Sequence, residues 1–317
     1  MSIFYFLFQQ TMMFAIPLLV VALGGMFSER GGVVNIALEG IMLMGAFAGI
    51  MFLHYCGGMF PPQVMLFLAL AIAAAAGLVF SLLHAYASIN MRADQVIGGT
   101  ALNMFAPAFA IYVARMTFGS QKIPFGNVFR IEAVPFLSEI PVIGPMFFQK
   151  VYLTTYLGFA ILLVSAIALY RTRFGLRLRA CGEHPQAADS VGINVYKMRY
   201  AGVMLSGVLA GMGGLIFIIP TSTAFDATVA GYGFLALAVL IFGQWKPWRV
   251  CGAAFLFGFM KTLASAYNMV PFLARLNINS YFYKMLPFAA TLIVLVFTSK
   301  RSQAPRASGT PYDKGSR

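Results

Sequence analysis

The chain reads as an all-α, polytopic membrane protein. Of its 317 residues, 60% are hydrophobic and only 10% are charged. Apolar runs of about 20 residues recur along it, each long enough to cross a hydrocarbon core of about 30 Å, and mean hydropathy is +0.82. Lys and Arg gather between these runs rather than within them. A soluble domain carries about a quarter charged residues, so a soluble enzyme, a disulfide-stapled secreted module and a disordered chain are excluded. The net charge of +13 points to a membrane rather than nucleic acid, because the basic residues separate apolar spans instead of forming one basic face.

Nine spans are predicted, at 11–27, 36–54, 62–84, 95–117, 152–170, 200–220, 232–245, 251–268 and 284–298. Met1–Gln10 lacks a basic n-region and a small-residue cleavage site, so no removable signal is read and the first span serves insertion. Asp94 is placed to cap the fourth span. Gly98 and Gly99 are expected to allow close helix packing, and Pro107 a kink. Segment 118–150, with Pro124, Pro135, Pro141 and Pro145, reads as an ordered extracytoplasmic loop. The seventh span is short, and the glycine-rich stretch beside it is a candidate to dip into the membrane. Residues 1–299 thus form the transmembrane domain, and the polar segment 300–317 is expected to be a disordered cytoplasmic tail.

Orientation follows from Lys and Arg. With 171–199 in the cytoplasm, 15 of the 22 lie on that side: Arg30, Arg92, six in 171–199, Lys246, Arg249 and five in the tail. Lys122, Arg130, Lys150 and Arg275 fall outside, and the N-terminus with them. Trp245 and Trp248 fit a cytoplasmic interface belt. The first two spans, joined by Ser28–Gly40, resemble the sixth and seventh, joined by Pro220–Gly233, and the pairs run in opposite directions. That is a short signal of an inverted repeat, an architecture of transporters.

No catalytic constellation emerges. His54, His84 and His184 are scattered, Cys56, Cys181 and Cys251 form no CxxC, and neither GxSxG nor a phosphate-binding Walker A loop occurs. The chain is therefore read as a transporter rather than an enzyme, with no metal site. A gradient-driven carrier needs ionisable groups in its spans, and Glu39, with Lys261 second, is thin provision. The driving energy is expected from another polypeptide. The segment able to couple to one is 171–199. After Arg171, Arg173, Arg177 and Arg179 come Gly182 and Glu183-His184-Pro185, then a short helix closed by Gly192. Pro185 suits a first helical turn, Glu183 lies near the positive end, Ala187 and Ala188 permit close approach, and Gly192 stops the helix. A basic loop touching anionic lipid explains the segment equally well on these grounds.

Three blocks carry a resemblance: "FSERGGVVNIALEGIMLMGAFAG" (27–49), "ADQVIGGTALNMFA" (93–106) and "GLRLRACGEHPQAADSVGINV" (175–195). Together they resemble the permeases of ABC importers for branched-chain amino acids, ribose-type sugars and nucleosides. The first block is most similar to the nucleoside members. The resemblance spans nearly the whole chain. It implies a permease subunit for nucleosides in the bacterial inner membrane, with a ribose-like sugar or a branched-chain amino acid as the alternative. A gradient-driven carrier remains the rival from another class. It also implies a second, non-identical permease, an ATP-binding protein that holds ATP and Mg, an extracytoplasmic substrate-binding protein and no cofactor in this chain. Gly182, Glu183, His184, Pro185, Ala187, Ala188, Asp189 and Gly192 then form the coupling helix. Cys181 and His184 stand where the family pattern has Val and Asn.

Four residues are candidates for the substrate path. Asn35 and Glu39 are four apart and would share one face of a helix starting near Asn35. Glu39 either lines the path or pairs with Arg30 or Lys261. Asn103 reads as polar glue between helices or a substrate contact. Asp226, in the Thr/Ser-rich turn 221–228, is a turn residue or a point of substrate delivery. Met42, Met44 and Met51 read as adaptable packing.

Overall fold

The computed structural model describes residues 2–126, 128–269, 279–298 and 303–315. Arg275, Lys300, Arg301 and Arg317, counted above for orientation, lie outside them. Eleven α-helices are present among the described residues: α1 Ser2–Arg30, α2 Leu38–Tyr55, α3 Pro62–Ala85, α4 Gln95–Phe118, α5 Leu153–Arg171, α6 Arg173–Glu183, α7 Pro185–Ser190, α8 Val195–Thr221, α9 Tyr232–Phe242, α10 Pro247–Ala266 and α11 Ser280–Thr298. Each expected span has a helical counterpart. Six helices, α1 to α5 and α8, are long and apolar enough to cross a membrane. The 11 residues of α9 reach only about 16 Å, half a hydrocarbon core.

The sequence of α1 is apolar all round, which suits a helix at the centre of a bundle, and Leu18 through Leu23 are wholly inaccessible. Residues 2–10 are the first turns of this helix. The main partner of α1 is α8, and the two approach closely where Gly24 meets Ser206 and Gly213 meets Val21. On its other side α8 packs on α2 and α3 through Gly45, Gly77, Gly207, Gly211 and Gly214. In lipid, such backbone-to-backbone approach supplies packing that the hydrophobic effect cannot.

One end of the bundle carries a cap. Residues 119–152 form strands β1 Ile123–Pro124, β2 Arg130–Ala133 and β3 Gln149–Tyr152, and β4 is Ala224–Phe225. β1 pairs antiparallel with β4, Ile123 opposite Phe225, and β2 with β3. Gln9 donates to the Pro145 carbonyl at 2.7 Å, and His54 Nδ1 lies 2.8 Å from that of Pro124. The start of α1, the end of α2 and segment 221–228 therefore share the cap end with Lys122, Arg130 and Lys150. The opposite end gathers Arg30, Arg92, the 171–199 segment, Lys246, Arg249 and residues 303–315.

Several expectations change. Asp94 does cap α4, accepting from Val96 and Ile97 N–H at 2.8 and 2.9 Å. Gly99 abuts Ile36 and Ala37, but Gly98 meets nothing within 4 Å, because it lies on a different face of α4. The helix continues through Pro107. Trp248 is exposed, whereas Trp245 is buried, since its indole N–H donates to Glu29 at 2.6 Å. Residues 303–315, expected to be disordered, lie against the basic end. Ala307 N–H donates to Gly182 at 2.9 Å and Gly309 N–H to Gly32 at 3.3 Å, and Tyr312 is buried.

Candidate functional site

Two places in the fold concentrate polar groups. In the first, α2 and α9 both begin inside the bundle. Gly32, at a φ of 92°, turns the chain out of α1, and residues 33–35 run on without helical structure. Their backbone must find partners where water is scarce. Val34 N–H donates to Gln95 Oε1 at 2.7 Å and its carbonyl meets His84 Nε2 at 2.9 Å. Ser28 Oγ donates to the Val33 carbonyl at 2.7 Å.

Asn35 therefore precedes α2 instead of starting it, and does not share a helical face with Glu39. Wholly buried, it donates from Nδ2 to Ser206 Oγ on α8 at 2.9 Å. Asn103 bridges two backbone groups, accepting from Gly40 N–H at 2.7 Å and donating to the Ile36 carbonyl at 2.8 Å. It thus holds the first turn of α2 against α4, in the manner of polar glue.

Glu39 pairs with neither Arg30 nor Lys261. Its carboxylate accepts from Gly231 N–H at 2.9 Å and Gly233 N–H at 2.6 Å. These are unpaired amides at the N-terminus of α9, where the helix dipole favours a negative charge. Gly231 itself sits at a φ of 78°, which a side chain would oppose. Arg30 instead donates to the Trp245 carbonyl at 2.9 Å and lies 3.8 Å from Glu183, while Lys261 Nζ lies 5.8 Å from the Tyr232 ring centre. Asp226 is not joined to this hydrogen-bonded group. It is exposed at the cap end, 3.9 Å from Lys122, beside a polar cavity of about 410 Å³ lined by Thr221, Ser222 and Thr223.

The second place is the corner made by α6 and α7 at the basic end. Thr172 caps α6, accepting from Gly175 N–H at 3.2 Å. Glu183 closes α6 rather than opening α7. Gly182 presses on the Arg30 carbonyl so closely that a Cβ would collide with it. α7 opens on Pro185, and Gly192, at a φ of 84°, ends the turn after it. His184, Gln186, Ala187 and Ser190 are exposed and Asp189 is half-exposed, but Pro185 and Ala188 are buried. Ala188 thus faces its own chain, in one cluster with Cys181, Val195 and Tyr312. Burial pushes the Cys181 thiol up to about 11, against the opposing pull of Arg199.

Sequence reasoning missed the buried Glu29–Trp245 pair and Arg199, whose side chain is 1% exposed and donates to the Thr310 carbonyl at 3.0 Å. Charges next to glycines or at helix ends were the available signal, but their partners lie far along the chain. Among the described residues, no group of three or more His, Cys, Asp and Glu is placed to hold a metal ion.

A bundle of apolar helices with two helix starts inside it, and a rigid helical corner at its basic end, defines an integral-membrane transport subunit. The chain belongs to the permease-component family of branched-chain amino acid transport systems, whose model matches residues 7–295. It is 43% identical to the guanosine ABC transporter permease protein NupQ of Bacillus subtilis, over 97% of this chain and 96% of that one. It is 42% identical to the nucleoside ABC transporter permease protein NupC of Lactococcus lactis, over 96% and 95% of the two chains. A second Bacillus subtilis protein, the guanosine ABC transporter permease protein NupP, is 26% identical over 77% of this chain and 70% of its own.

Proposed function

We propose that the chain is a permease subunit of a nucleoside ABC importer in the bacterial inner membrane. The observation that carries the substrate is the near-full-length similarity to permeases named for guanosine and nucleosides. The α6–α7 corner serves as the coupling element, with Gln186, Ala187, Asp189 and Ser190 facing the ATP-hydrolysing partner and Glu183, through Arg30, tying the corner to α1. ATP and Mg are held by that partner, and a substrate-binding protein delivers the nucleoside at the cap end near Asp226. A second, non-identical permease completes the path. The similarity of this chain to both NupQ and NupP, two Bacillus subtilis permeases named for guanosine, supports that pairing.

The broken starts of α2 and α9 support an inverted repeat of α1–α2 and α8–α9. α1 runs from the cap end to the basic end and α8 runs back, and each is followed by an irregular segment and a helix that starts inside the bundle. Glu39 and Asn103 then brace the path rather than bind the solute, since their polar atoms already have protein partners. Asn35 keeps a buried Oδ1 without a partner among the described residues and stays a candidate for the path.

Uptake of labelled guanosine and adenosine, with excess ribose as competitor, tests the reading in cells with and without the chain. Chain-dependent uptake that ignores ribose is expected. Chain-dependent ribose uptake without a nucleoside signal would remove the substrate assignment. Transport that survives deletion of Glu183 to Asp189, or charge reversal of its two acidic residues, would remove the ATP-driven one.

A further inference from the structure

We propose that residues 303–315 form a strap whose Tyr312-Asp313-Lys314 edge, together with α7, completes the surface on which the ATP-hydrolysing subunit docks. The inference rests on the coupling role assigned to α7 and adds to it a second chain segment.

The strap is anchored to five separate elements of the basic end. Gln303 N–H donates to Gln244 Oε1, in the α9–α10 turn, at 2.9 Å. Ala307 N–H binds the Gly182 carbonyl at the α6–α7 corner, and Gly309 N–H binds that of Gly32, after α1. Arg199 of α8 reaches the Thr310 carbonyl. Arg92, between α3 and α4, grips the Asp313 carboxylate with both guanidinium nitrogens, at 2.9 and 3.0 Å. Tyr312 fills the floor between these anchors, edge-on to Tyr196 at 5.5 Å and clustered with Ala188 of α7. A polar chain segment recovers its ordering cost only through such specific contacts.

The anchoring has a consequence for α7. With Pro185 and Ala188 turned inward, α7 offers only Gln186, Ala187, Asp189 and Ser190. These line one wall of an open groove of about 590 Å³, and Tyr312, Asp313 and Lys314 line the other. The two walls are one continuous surface, because Tyr312 packs beneath both. A partner seated on α7 therefore rests on Lys314 too. The groove carries carboxylates on both walls, Asp189 and Asp313, and the Lys314 ammonium at its edge. It therefore suits a protein surface that presents a cation opposite Asp189 and an acceptor opposite Lys314.

Single cysteines introduced by Gln186→Cys or Lys314→Cys, in the full-length chain with Cys56 and Cys251 replaced by Ser, test this by protection. A membrane-impermeant maleimide is applied to inside-out vesicles holding the permease alone or the assembled importer. Both sites are expected to react freely in the permease alone and about tenfold more slowly in the assembled importer. Protection at position 186 with none at position 314 would overturn the strap's role and leave the coupling role of α7 intact. No protection at either would overturn both. A charge exchange tests the anchoring without removing any segment. Arg92→Asp should reduce co-purification of the ATP-hydrolysing subunit, and adding Asp313→Arg should restore it. Co-purification unaffected by Arg92→Asp and by Tyr312→Ala, with normal membrane levels, would count decisively against the strap.

Discussion

The Glu39 carboxylate and the Gly233 amide, 194 residues apart in sequence, meet at 2.6 Å and fix the start of α9 to the first turn of α2. An ionised acceptor at a helix N-terminus is favoured by the dipole and by the free amides. Glu39→Ala removes the acceptor for two partly buried N–H groups, each costing up to about 1–3 kcal/mol when left unpaired. The thermal midpoint in detergent should drop clearly for Glu39→Ala and less for Glu39→Gln, which keeps one acceptor oxygen. An unchanged midpoint in the alanine variant would mean that α9 is held elsewhere.

The same contact makes Gly233 intolerant of a side chain, since a Cβ there would collide with the Glu39 backbone; at Gly214 it would collide with the Met42 carbonyl. Overpacking of this kind costs about 1–3 kcal/mol. Gly98→Ala meets open space and gains up to about 1 kcal/mol in helix propensity. Folded yield after solubilisation should therefore rank Gly98→Ala at or above the natural chain and Gly214→Ala and Gly233→Ala well below it. The reverse order would contradict the packing of α2, α8 and α9.

That contrast marks what the sequence can reveal. Span positions are legible because hydrocarbon thickness imposes a local apolar length. The Asp94 cap and the Pro185–Gly192 turn are legible because caps and stops act within a few residues. Gly98 and Gly99 cannot be told apart in this way, since their difference is one of helix rotation. Nor could the partner of Glu39 be read, because the acceptor needs amides supplied by α9, far along the chain. Residues 303–315 have the composition of a disordered tail. Their order comes from backbone N–H groups, the Arg92–Asp313 pair and one tyrosine, none of which alters mean polarity.

The Glu29–Trp245 pair closes the basic end of α1 against the α9–α10 turn, with both residues buried. Trp245→Phe leaves the buried Glu29 carboxyl without its donor, and a buried polar group left unpaired costs about 1–3 kcal/mol. Glu29→Gln also weakens the contact but leaves a neutral group behind. The expected pattern is non-additive: Trp245→Phe should cost much less in a Glu29→Gln background than alone. Additive losses in a double-mutant cycle of thermal stability would show that the indole acts by packing only.

Cys181 offers a reporter on the packing of residues 303–315. Its side chain is inaccessible, and burial moves the thiol from its ordinary value of 9.0 up to about 11. With that value, only about a thousandth of it is thiolate at pH 8. Maleimide should leave Cys181 untouched at neutral pH in the intact chain, and Tyr312→Ala, which opens the cluster above it, should raise the labelling rate by at least about tenfold. The folded state holds the thiol proton more tightly than the unfolded one, so the contribution of the neutral thiol is complete below pH 9 and is lost as pH rises from about 9 to 11. Cys181→Ala should flatten that part of the stability profile while leaving it unchanged at neutral pH apart from a constant packing loss. Rapid labelling of Cys181 in the natural chain at neutral pH would instead place the tyrosine away from the thiol.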